Sequence, residues 1–544
     1  MTSIITSGSL ASSGKRWLNG TVGYEIYVRS FADSNDDGIG DIAGITERLD
    51  YLAWLGVDIV WVTPFYPSPG YDHGYDVSSY CDVDPMLGTL DDVDALIERT
   101  HQLGMRLIAD IVPNHTSSAH RWFQKALADP TSPERDYYLF RDPGPDGGPP
   151  NNWASHFGPT AWTLDPDSGQ YYCHLFLPEQ PDLNWRNPAV RAEFDAIYRF
   201  WFERGIDGFR IDVAHGLLKH PDFPDLPRNK PIDPDTGPME HFFGFDHIYD
   251  MDQDDNVEIF TRWQSVASEY DAILLAESGV EDHERLARYV GPGALDLTFF
   301  LKPGWMAWDP DKFVKELVGL AKVEPFGISW VVSNHDVARP ASRFGDGAVG
   351  RNRSLAVTTL MFALGGVPFL YQGEELGSPN GDIAPEDRHD PISTRNDTDE
   401  GRDVSRTPMA WNEDPFNGFS SVVPWLRATD RSSDFTVAGQ HANKAAPLHR
   451  YRRLIAVRTH HPDLWRAELS VVDSGRPDVA IIQRGSTLTV ANLGTSEFAV
   501  NLGSGAWRVV FASQGGDGDA ATGVVNVSAE TSVIMVVEPD PDDD

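Results

Sequence analysis

The stretch GFRIDVAH, residues 208–215, indicates most directly how this chain folds and what its interior carries. Its first residues predict a buried strand, on which Arg210 and Asp212, two positions apart, share one face. A guanidinium beside a carboxylate keeps that carboxylate ionised and oriented, which is the state a nucleophile requires. An isolated Arg-x-Asp is more often a surface ion pair, so the interpretation depends on the rest of the chain.

Two further strand-like runs also end in a carboxylate. AILLAE ends at Glu277, and ISWVVSNHD ends at Asp336, with His335 directly before it. In a barrel of parallel strands, catalytic groups collect where the strands end on one face. We therefore predict that Asp212, Glu277 and Asp336 converge on one site.

Strand-like runs alternate with amphipathic segments along the chain, which predicts a parallel sheet closed into an α/β (β/α)₈ TIM barrel. The predicted strands are 22–28, 58–64, 105–112, 208–212, 272–277, 294–300, 328–334 and 367–372. Apolar spacing of 3.6 residues predicts helices at about 42–56, 91–104, 187–205, 256–270, 309–323, 349–365 and 447–460.

Two long insertions and a change of pattern divide the chain into predicted domains. The barrel is assigned to residues 1–115 and 186–464, with a loop-rich insertion domain at 116–185 after the third strand. A second insertion covers about 373–430. From 465 to 544 short alternating strands predict a C-terminal antiparallel β-sandwich.

Composition limits the classes of partner. The 544 residues carry a net charge of −38, which argues against nucleic acid and anionic membranes and favours a small neutral substrate. No apolar run is long enough to cross a membrane, and no secretory signal is visible, so we expect a cytoplasmic protein. Cys81 and Cys173 could form one disulfide, but in that compartment two reduced, packed thiols are expected.

Five motifs carry a resemblance to a known family. ADIVPNH (109–115), QPDLNW (180–185), GFRID (208–212), LLAE (274–277) and SNHD (333–336) resemble, in this order, glycoside hydrolase family thirteen, the α-amylase superfamily. The chain is most similar to its α-glucosidase and oligo-1,6-glucosidase branch, and most like the actinobacterial α-glucosidases. The resemblance extends from about Trp17 into the C-terminal domain.

The resemblance implies catalytic roles for the three carboxylates. Asp212 corresponds to the nucleophile, Glu277 to the acid/base, and Asp336 to a third carboxylate that binds sugar hydroxyls and stabilises the transition state. The two roles predict that Asp212 is ionised beside Arg210 and that Glu277 is protonated, in a drier position with a raised pKa. A retaining mechanism would place their carboxyl groups about 5–5.5 Å apart.

The resemblance also implies a closed pocket for one terminal glucose. Asp76 is expected to accept hydrogen bonds from its outer hydroxyls and to pair with Arg402, which would make the site exo-acting. Val213, directly after the nucleophile, accompanies α-1,6 activity in this branch, whereas the following AHGLLK resembles maltose-acting enzymes. Further implied contacts are Tyr75, His115, Phe176, Gln180, His335 and Arg406.

An acidic loop after the first strand predicts a structural Ca²⁺ site. Oxygen-bearing residues alternate along DSNDDGIGD, residues 33–41, as a hard cation with 6–8 oxygen ligands requires. The loop is not an EF-hand, because position twelve is Gly44. The resemblance implies as ligands the side chains of Asp33, Asn35, Asp37 and Asp41 and the carbonyl oxygen of Ile39.

Together these features predict a retaining α-glucosidase that acts on maltose- or isomaltose-type substrates. One alternative passes the same glucosyl intermediate to a sugar or alcohol, as a transglucosylase or a sucrose- or trehalose-type isomerising synthase does. A remoter alternative is a non-catalytic amylase-like scaffold, which would have lost catalytic carboxylates that this chain retains.

Overall fold

Eight parallel strands form a closed barrel in the computed structural model, which confirms the predicted fold class. The structure describes residues 3–4, 15–231, 237–324, 326–395, 401–427 and 431–538. The barrel strands are β1 (Gly23–Ile26), β2 (Ile59–Val62), β3 (Arg106–Ile111), β4 (Gly208–Ile211), β5 (Ile273–Ala276), β6 (Leu297–Phe300), β7 (Ile328–Trp330) and β8 (Val367–Tyr371).

The register of the barrel brings polar side chains of neighbouring strands together. Asp110 of β3 lies opposite Arg210 of β4, and β8 closes on β1 with Tyr371 opposite Glu25. Since side chains alternate along a strand, these inward residues alternate with apolar residues that face the surrounding helices. The carboxyl ends of all eight strands meet at one rim.

Helices surround the barrel close to the predicted positions, and their ends follow local sequence. The helix that begins at Ile42 is capped by Asp41, which accepts the N–H of Gly44, and it ends at Gly56 in the left-handed conformation. The main helices are α1 (Ile42–Leu55), α2 (Leu90–Gln102), α3 (Pro188–Arg204), α4 (Asn256–Ser268), α5 (Pro310–Val323), α6 (Gly347–Ala363) and α7 (Pro447–His460). Shorter helices are Arg121–Ala128, Pro238–Phe242, His283–Leu286, Lys302–Trp305, Pro340–Arg343, Pro391–Arg395, Val437–Ala442 and Asp463–Arg466.

The insertion after β3 forms a small sheet over the rim of the barrel. Its strands Phe140–Arg141, Tyr171–Cys173 and Trp162–Leu164 pair antiparallel in that spatial order. Its apolar side chains share one cluster with Phe223 and Phe242 from the loop after β4. The insertion is therefore packed against the rim on which the predicted site residues lie.

The C-terminal part is antiparallel, as predicted, and it also takes up the start of the chain. Its large sheet runs in the spatial order Ser3–Ile4, Ser470–Val472, Val479–Arg484, Thr487–Asn492, Thr531–Val537, Trp507–Ala512 and Ala520–Ala521. A second sheet pairs Phe498–Asn501 with Val524–Val527. The assignment of the first residues to the barrel was wrong, because Ser3–Ile4 pairs with this sheet.

The two cysteines are free, but only one is packed. Cys173 is buried in the insertion, whereas Cys81 is exposed, so the prediction of two packed thiols was wrong for Cys81. In the described part of the chain, no helix combines the length and the apolar character needed to span a membrane.

The contact between the C-terminal sheet and the barrel can be tested at Leu317 of α5. This fully buried residue belongs to one cluster with Ile482 and Ala491 of the large sheet. Leu317→Ala should cost about 2–5 kcal/mol, because it leaves a cavity there. Urea unfolding would measure the loss, and Lys315→Ala on the exposed side of α5 should change the free energy of unfolding by less than about 0.5 kcal/mol.

Candidate active site

One buried guanidinium joins three carboxylates at the carboxyl rim of the barrel. Arg210 Nη1 donates to Asp110 Oδ1 and Oδ2 at 2.8 and 2.9 Å and to Asp212 Oδ1 at 2.7 Å. Its Nη2 lies 3.1 Å from Glu277 Oε2. Because these carboxylates come from β3 and from the ends of β4 and β5, the barrel register itself places them around one cation.

The exposure of Asp212 and Glu277 is the reverse of what the sequence suggested. The Asp212 side chain is 8% exposed and that of Glu277 17%, so Glu277 does not occupy the drier position. Burial raises the pKa of Asp212, the Arg210 cation opposes this, and the neighbouring carboxylates Glu277 and Asp110 add to the rise. Arg210 is therefore the group that favours an ionised Asp212.

Glu277 is held through one of its two oxygens. Its Oε2 accepts the main-chain N–H of Val213 at 2.8 Å and faces Arg210. Val213 adopts left-handed backbone angles, φ 46° and ψ 44°, which are strained for a β-branched residue. The turn after β4 therefore aims a donor at the expected acid.

Asp336 lies within reach of three cationic or polarisable groups. Its Oδ1 accepts from Arg406 Nη2 at 3.0 Å and from Arg402 Nη1 at 3.3 Å, and its Oδ2 is 3.3 Å from His335 Nε2. Burial acts to raise the pKa of Asp336, but His335, Arg402 and Arg406 together hold it below its usual range. Asp336 is thus a fixed negative charge in the site.

Arg402 pairs with Asp72 and not with Asp76, so that prediction was wrong. Its Nη2 donates to Asp72 Oδ1 at 2.6 Å, and Asp390 accepts from its Nε and Nη2 at 2.9 and 2.8 Å. Gln180, as predicted for a site residue, lies beside this group, with Nε2 3.3 Å from Asp72 Oδ2. With Asp336 Oδ1, four carboxylate oxygens therefore fix this guanidinium at the edge of the site.

Asp76 instead orders the turn that carries Asp72. It accepts the hydroxyl of Ser68 at 2.7 Å and the main-chain N–H groups of Asp72 and Tyr71 at 3.0 and 3.1 Å. Burial raises its pKa to about 6. Both acids lie within the segment YDHGYD, and the spacing alone does not show which of them faces Arg402.

The predicted histidines and aromatic residues line the same rim. The Tyr75 hydroxyl is 2.8 Å from His335 Nε2 and 3.0 Å from Asp110 Oδ2, and the Tyr75 and His335 rings stack. His115 Nε2 lies 3.1 Å from the Tyr75 carbonyl oxygen, and burial lowers the pKa of His115 to about 4. The ring of Phe176 lies 5.2 Å from that of His115. The structure therefore brings all of these residues together.

Lys219 supports the site through a contact that the sequence did not reveal. Its ammonium donates to Asn114 Oδ1 at 2.9 Å and to the Gly216 carbonyl oxygen, and it lies 2.7 Å from Asp182 Oδ2. The Lys219 and Asp182 side chains are almost fully buried. The pair ties the insertion to the loops after β3 and β4.

The acidic loop at 33–41 is ordered by its own hydrogen bonds. Asp33 accepts N–H groups of Asn35, Asp36 and Gly38, and Asp37 accepts that of Ile39. Asp41 accepts from Ser34 and Gly44. The described residues contain no group of three or more His, Cys, Asp or Glu side chains arranged to hold a metal ion, so Ca²⁺ stays a prediction.

Residues 25–467 match the family model of the α-amylase catalytic domain. The chain belongs to the α-amylase family. A probable α-glucosidase of Rhizobium meliloti (strain 1021) is 40% identical over 491 residues, covering 87% of this chain and 88% of that protein. An oligo-1,6-glucosidase of Heyndrickxia coagulans is 35% identical over 546 residues, covering 91% of this chain and 95% of that protein. The family predicted from the motifs is thus confirmed.

Solved structures of related proteins include an α-glucosyl transfer enzyme and a synthase. An α-glucosyl transfer enzyme, XgtA, aligns with a TM-score of 0.88 at 34% identity and covers 96% of this chain and 99% of that chain. A trehalulose synthase, MutB, aligns with a TM-score of 0.87 at 30% identity and covers 96% of this chain and 100% of that chain. This fold therefore carries more than one outcome of glucosyl chemistry among its relatives.

Neutralising Asp72 and Asp76 one at a time should distinguish a substrate-binding carboxylate from a structural one. Asp72→Asn weakens the charged hydrogen bond to Arg402, worth about 1.5–3 kcal/mol, and should lower kcat/KM on short α-glucosides about 10- to 100-fold. Asp76→Asn should retain most of kcat/KM and lower the Tm, because its carboxylate only orders the turn. Steady-state kinetics and thermal melts on both variants would measure these effects. The opposite pattern would favour the pair of Asp76 and Arg402 that the sequence predicted.

Proposed function

We propose that this protein is a retaining, exo-acting α-glucosidase that releases glucose from the non-reducing end of short maltose- or isomaltose-type α-glucosides. The observation that carries the proposal is the shared guanidinium of Arg210, which holds Asp212 and Glu277 in one site. The names of relatives at 35–40% identity, α-glucosidase and oligo-1,6-glucosidase, support the substrate class.

In the first step, an Asp212 carboxylate oxygen attacks the anomeric carbon and Glu277 transfers its proton to the departing glycosidic oxygen. The carbon–oxygen bond to the leaving group breaks, and a glucosyl ester of Asp212 forms. Arg210 favours the ionised nucleophile, while the Val213 N–H fixes the Glu277 carboxyl. Asp336 contributes a negative charge that stabilises the oxocarbenium-like transition state.

In the second step, Glu277 acts as a base. It takes a proton from a water molecule that attacks the anomeric carbon, and the bond to Asp212 breaks, which releases α-glucose. Both steps use the same pair of carboxyl groups, so the configuration of the sugar is retained. The neutral state of His115 suits a hydrogen bond to a sugar hydroxyl without adding charge.

The exo action follows from the group around Arg402. Asp72 and Asp390 neutralise and fix its guanidinium, and Arg402 also reaches Asp336 beside the reacting sugar. Outer hydroxyls of a terminal glucose can bond to Asp72, but a longer chain cannot continue through this paired wall.

The two free cysteines support a reducing, cytoplasmic location.

A second candidate function is transfer of the glucosyl group to a sugar or alcohol. The similarity to the α-glucosyl transfer enzyme XgtA, at 34% identity over almost the whole chain, favours this alternative. The covalent intermediate is the same, and the acceptor takes the place of water. Measuring glucose release against glucoside formation over a range of maltose concentrations would give the balance between the two outcomes.

The stereochemistry and the nucleophile can be tested together. ¹H NMR during the first minutes of hydrolysis should show α-glucose before mutarotation produces the β anomer. A fluorinated α-glucosyl fluoride, which slows hydrolysis of the ester, should label the peptide that contains Asp212, as seen by mass spectrometry. Asp212→Asn should remain folded, stay unlabelled and lose at least about 10⁴-fold in kcat. A β-glucose first product or a label elsewhere would contradict the mechanism.

We also propose that the loop at 33–41 binds a structural Ca²⁺. Asp33 Oδ2, Asn35 Oδ1 and Asp37 Oδ1 each accept one N–H group and keep a second lone pair, so these side chains, together with the Ile39 carbonyl oxygen, can still coordinate a cation. Asp41 Oδ2 likewise accepts one N–H group, from Ser34, while Asp41 Oδ1 accepts the Ser34 hydroxyl and caps α1. Bound Ca²⁺ would stabilise this turn at the start of α1 and take no part in the reaction.

Chelation tests the calcium proposal. A ligand present at 100 times its Kd stabilises the folded state by about 2.7 kcal/mol, so EDTA should lower the Tm and added Ca²⁺ should restore it. Asp37→Asn should reduce this response, while Asp36→Asn in the same exposed loop should leave it unchanged. A Tm that does not respond to either treatment would show that hydrogen bonds alone order the loop.

A further inference from the structure

Glu25 is a buried carboxylate in the middle of β1 to which the mechanism above assigns no role. Its side chain is 1% exposed, and Oε1 lies 2.6 Å from His335 Nδ1. The same oxygen accepts the main-chain N–H of His335 at 3.3 Å. One carboxylate therefore holds both the ring and the backbone of the residue that precedes Asp336.

The hydrogen bonds of the Tyr75 hydroxyl determine which nitrogen of His335 carries a proton. The Tyr75 hydroxyl has one hydrogen and two close neighbours, Asp110 Oδ2 and His335 Nε2. Both Asp110 oxygens accept from Arg210, so Asp110 is an acceptor and receives the Tyr75 hydrogen. His335 Nε2 must then donate to the Tyr75 oxygen, which means that Nε2 carries a proton.

The contact between Glu25 and Nδ1 needs a hydrogen of its own. With Nε2 already protonated, this second hydrogen means that the Glu25–His335 pair holds two protons. A carboxylate beside a neutral imidazole would hold only one. Burial raises the pKa of Glu25, and the neighbouring Asp336 adds to the rise, which supports retention of that proton. An apolar residue in place of Glu25 would leave Nδ1 without a partner, and the ring could then carry its single proton on Nδ1.

We propose that Glu25 is a positioning residue, which keeps His335 oriented as an Nε2–H donor to the Tyr75 oxygen, with that N–H close to Asp336. His335 Nε2 is 3.3 Å from Asp336 Oδ2, so its proton stabilises the fixed charge that faces the reacting sugar. Loss of this donor would let the imidazole turn or change tautomer, and Asp336 would lose one of its three partners. This inference rests on the proposed glucosidase function for its kinetic consequence only.

Two substitutions of similar size separate hydrogen bonding from packing. In Glu25→Gln the amide can donate to Nδ1, and Nε2 keeps its proton. Glu25→Leu has a similar volume and no hydrogen-bonding group. We expect Glu25→Leu to lower kcat/KM about 10²-fold, mainly through kcat, as a small misplacement of active-site groups does. Glu25→Gln should recover most of this loss.

A matched control is Glu375→Gln. Glu375 is also a fully buried glutamate, and it accepts the hydroxyls of Tyr24 and Tyr51 away from the site. Its neutralisation should leave kcat/KM near the wild-type value. If Glu25→Gln and Glu25→Leu lose activity equally, or if Glu25→Leu is fully active, the proposal is overturned.

NMR of protein labelled with ¹⁵N-histidine provides a readout that does not need turnover. The imidazole proton shared with Glu25 should give a strongly downfield signal, assigned by its loss in His335→Ala. The signal should be lost in both Glu25→Gln and Glu25→Leu, whereas the ring ¹⁵N shifts should show a protonated Nε2 in Glu25→Gln and a protonated Nδ1 or a mixture of tautomers in Glu25→Leu. Persistence in Glu25→Leu would overturn the pairing. If the wild type failed to hydrolyse any α-glucoside but showed this signal, the proposed function would fail while the pairing would stand.

Discussion

The buried guanidinium of Arg210 is the interaction on which the rest of this site depends. Removing a charge from water costs several kcal/mol unless close partners compensate, and here Asp110, Asp212 and Glu277 supply that compensation. Without the cation, the three carboxylates could not lie so close together in their ionised form, because their mutual repulsion would favour protonation of the carboxyl groups. The barrel register that sets Asp110 opposite Arg210 is therefore also an electrostatic condition for the chemistry.

A second cationic centre, formed by Arg402 and Arg406, lies at the same rim of the barrel. Arg402 and Arg406 hold Asp336 ionised, and Asp72 and Asp390 neutralise the remainder of the Arg402 charge. The two centres differ in what they leave available. In the proposed mechanism, a carboxylate oxygen beside Arg210 attacks and a carboxyl group exchanges its proton, whereas the carboxylates around Arg402 are all held in ion pairs, which suits recognition.

Much of this arrangement could be predicted from the sequence, because several of the apolar runs that predict strands are followed directly by a charged residue. The eight strands were visible as apolar runs, and the family motifs identified Asp212, Glu277 and Asp336 as a group. Contacts between distant segments were not predictable in the same way. The choice between Asp72 and Asp76 depends on the direction of one turn, and the greater exposure of Glu277 depends on how the loops pack. Glu25 and Lys219 acquire their partners only through the closed barrel and the packed insertion.

Closure of the barrel has a consequence for how the chain is made. The first strand completes its pairing only with the last one, and the Tyr24 hydroxyl finds Glu375, 351 residues further along the chain. At about 5–20 residues per second, a ribosome needs some tens of seconds to deliver that partner. During this interval β1 has an unpaired edge and a polar interior side chain in contact with solvent. Nascent chains that stall before β8 should therefore be targets for chaperones, which bind exposed edges of this kind until the ring can close.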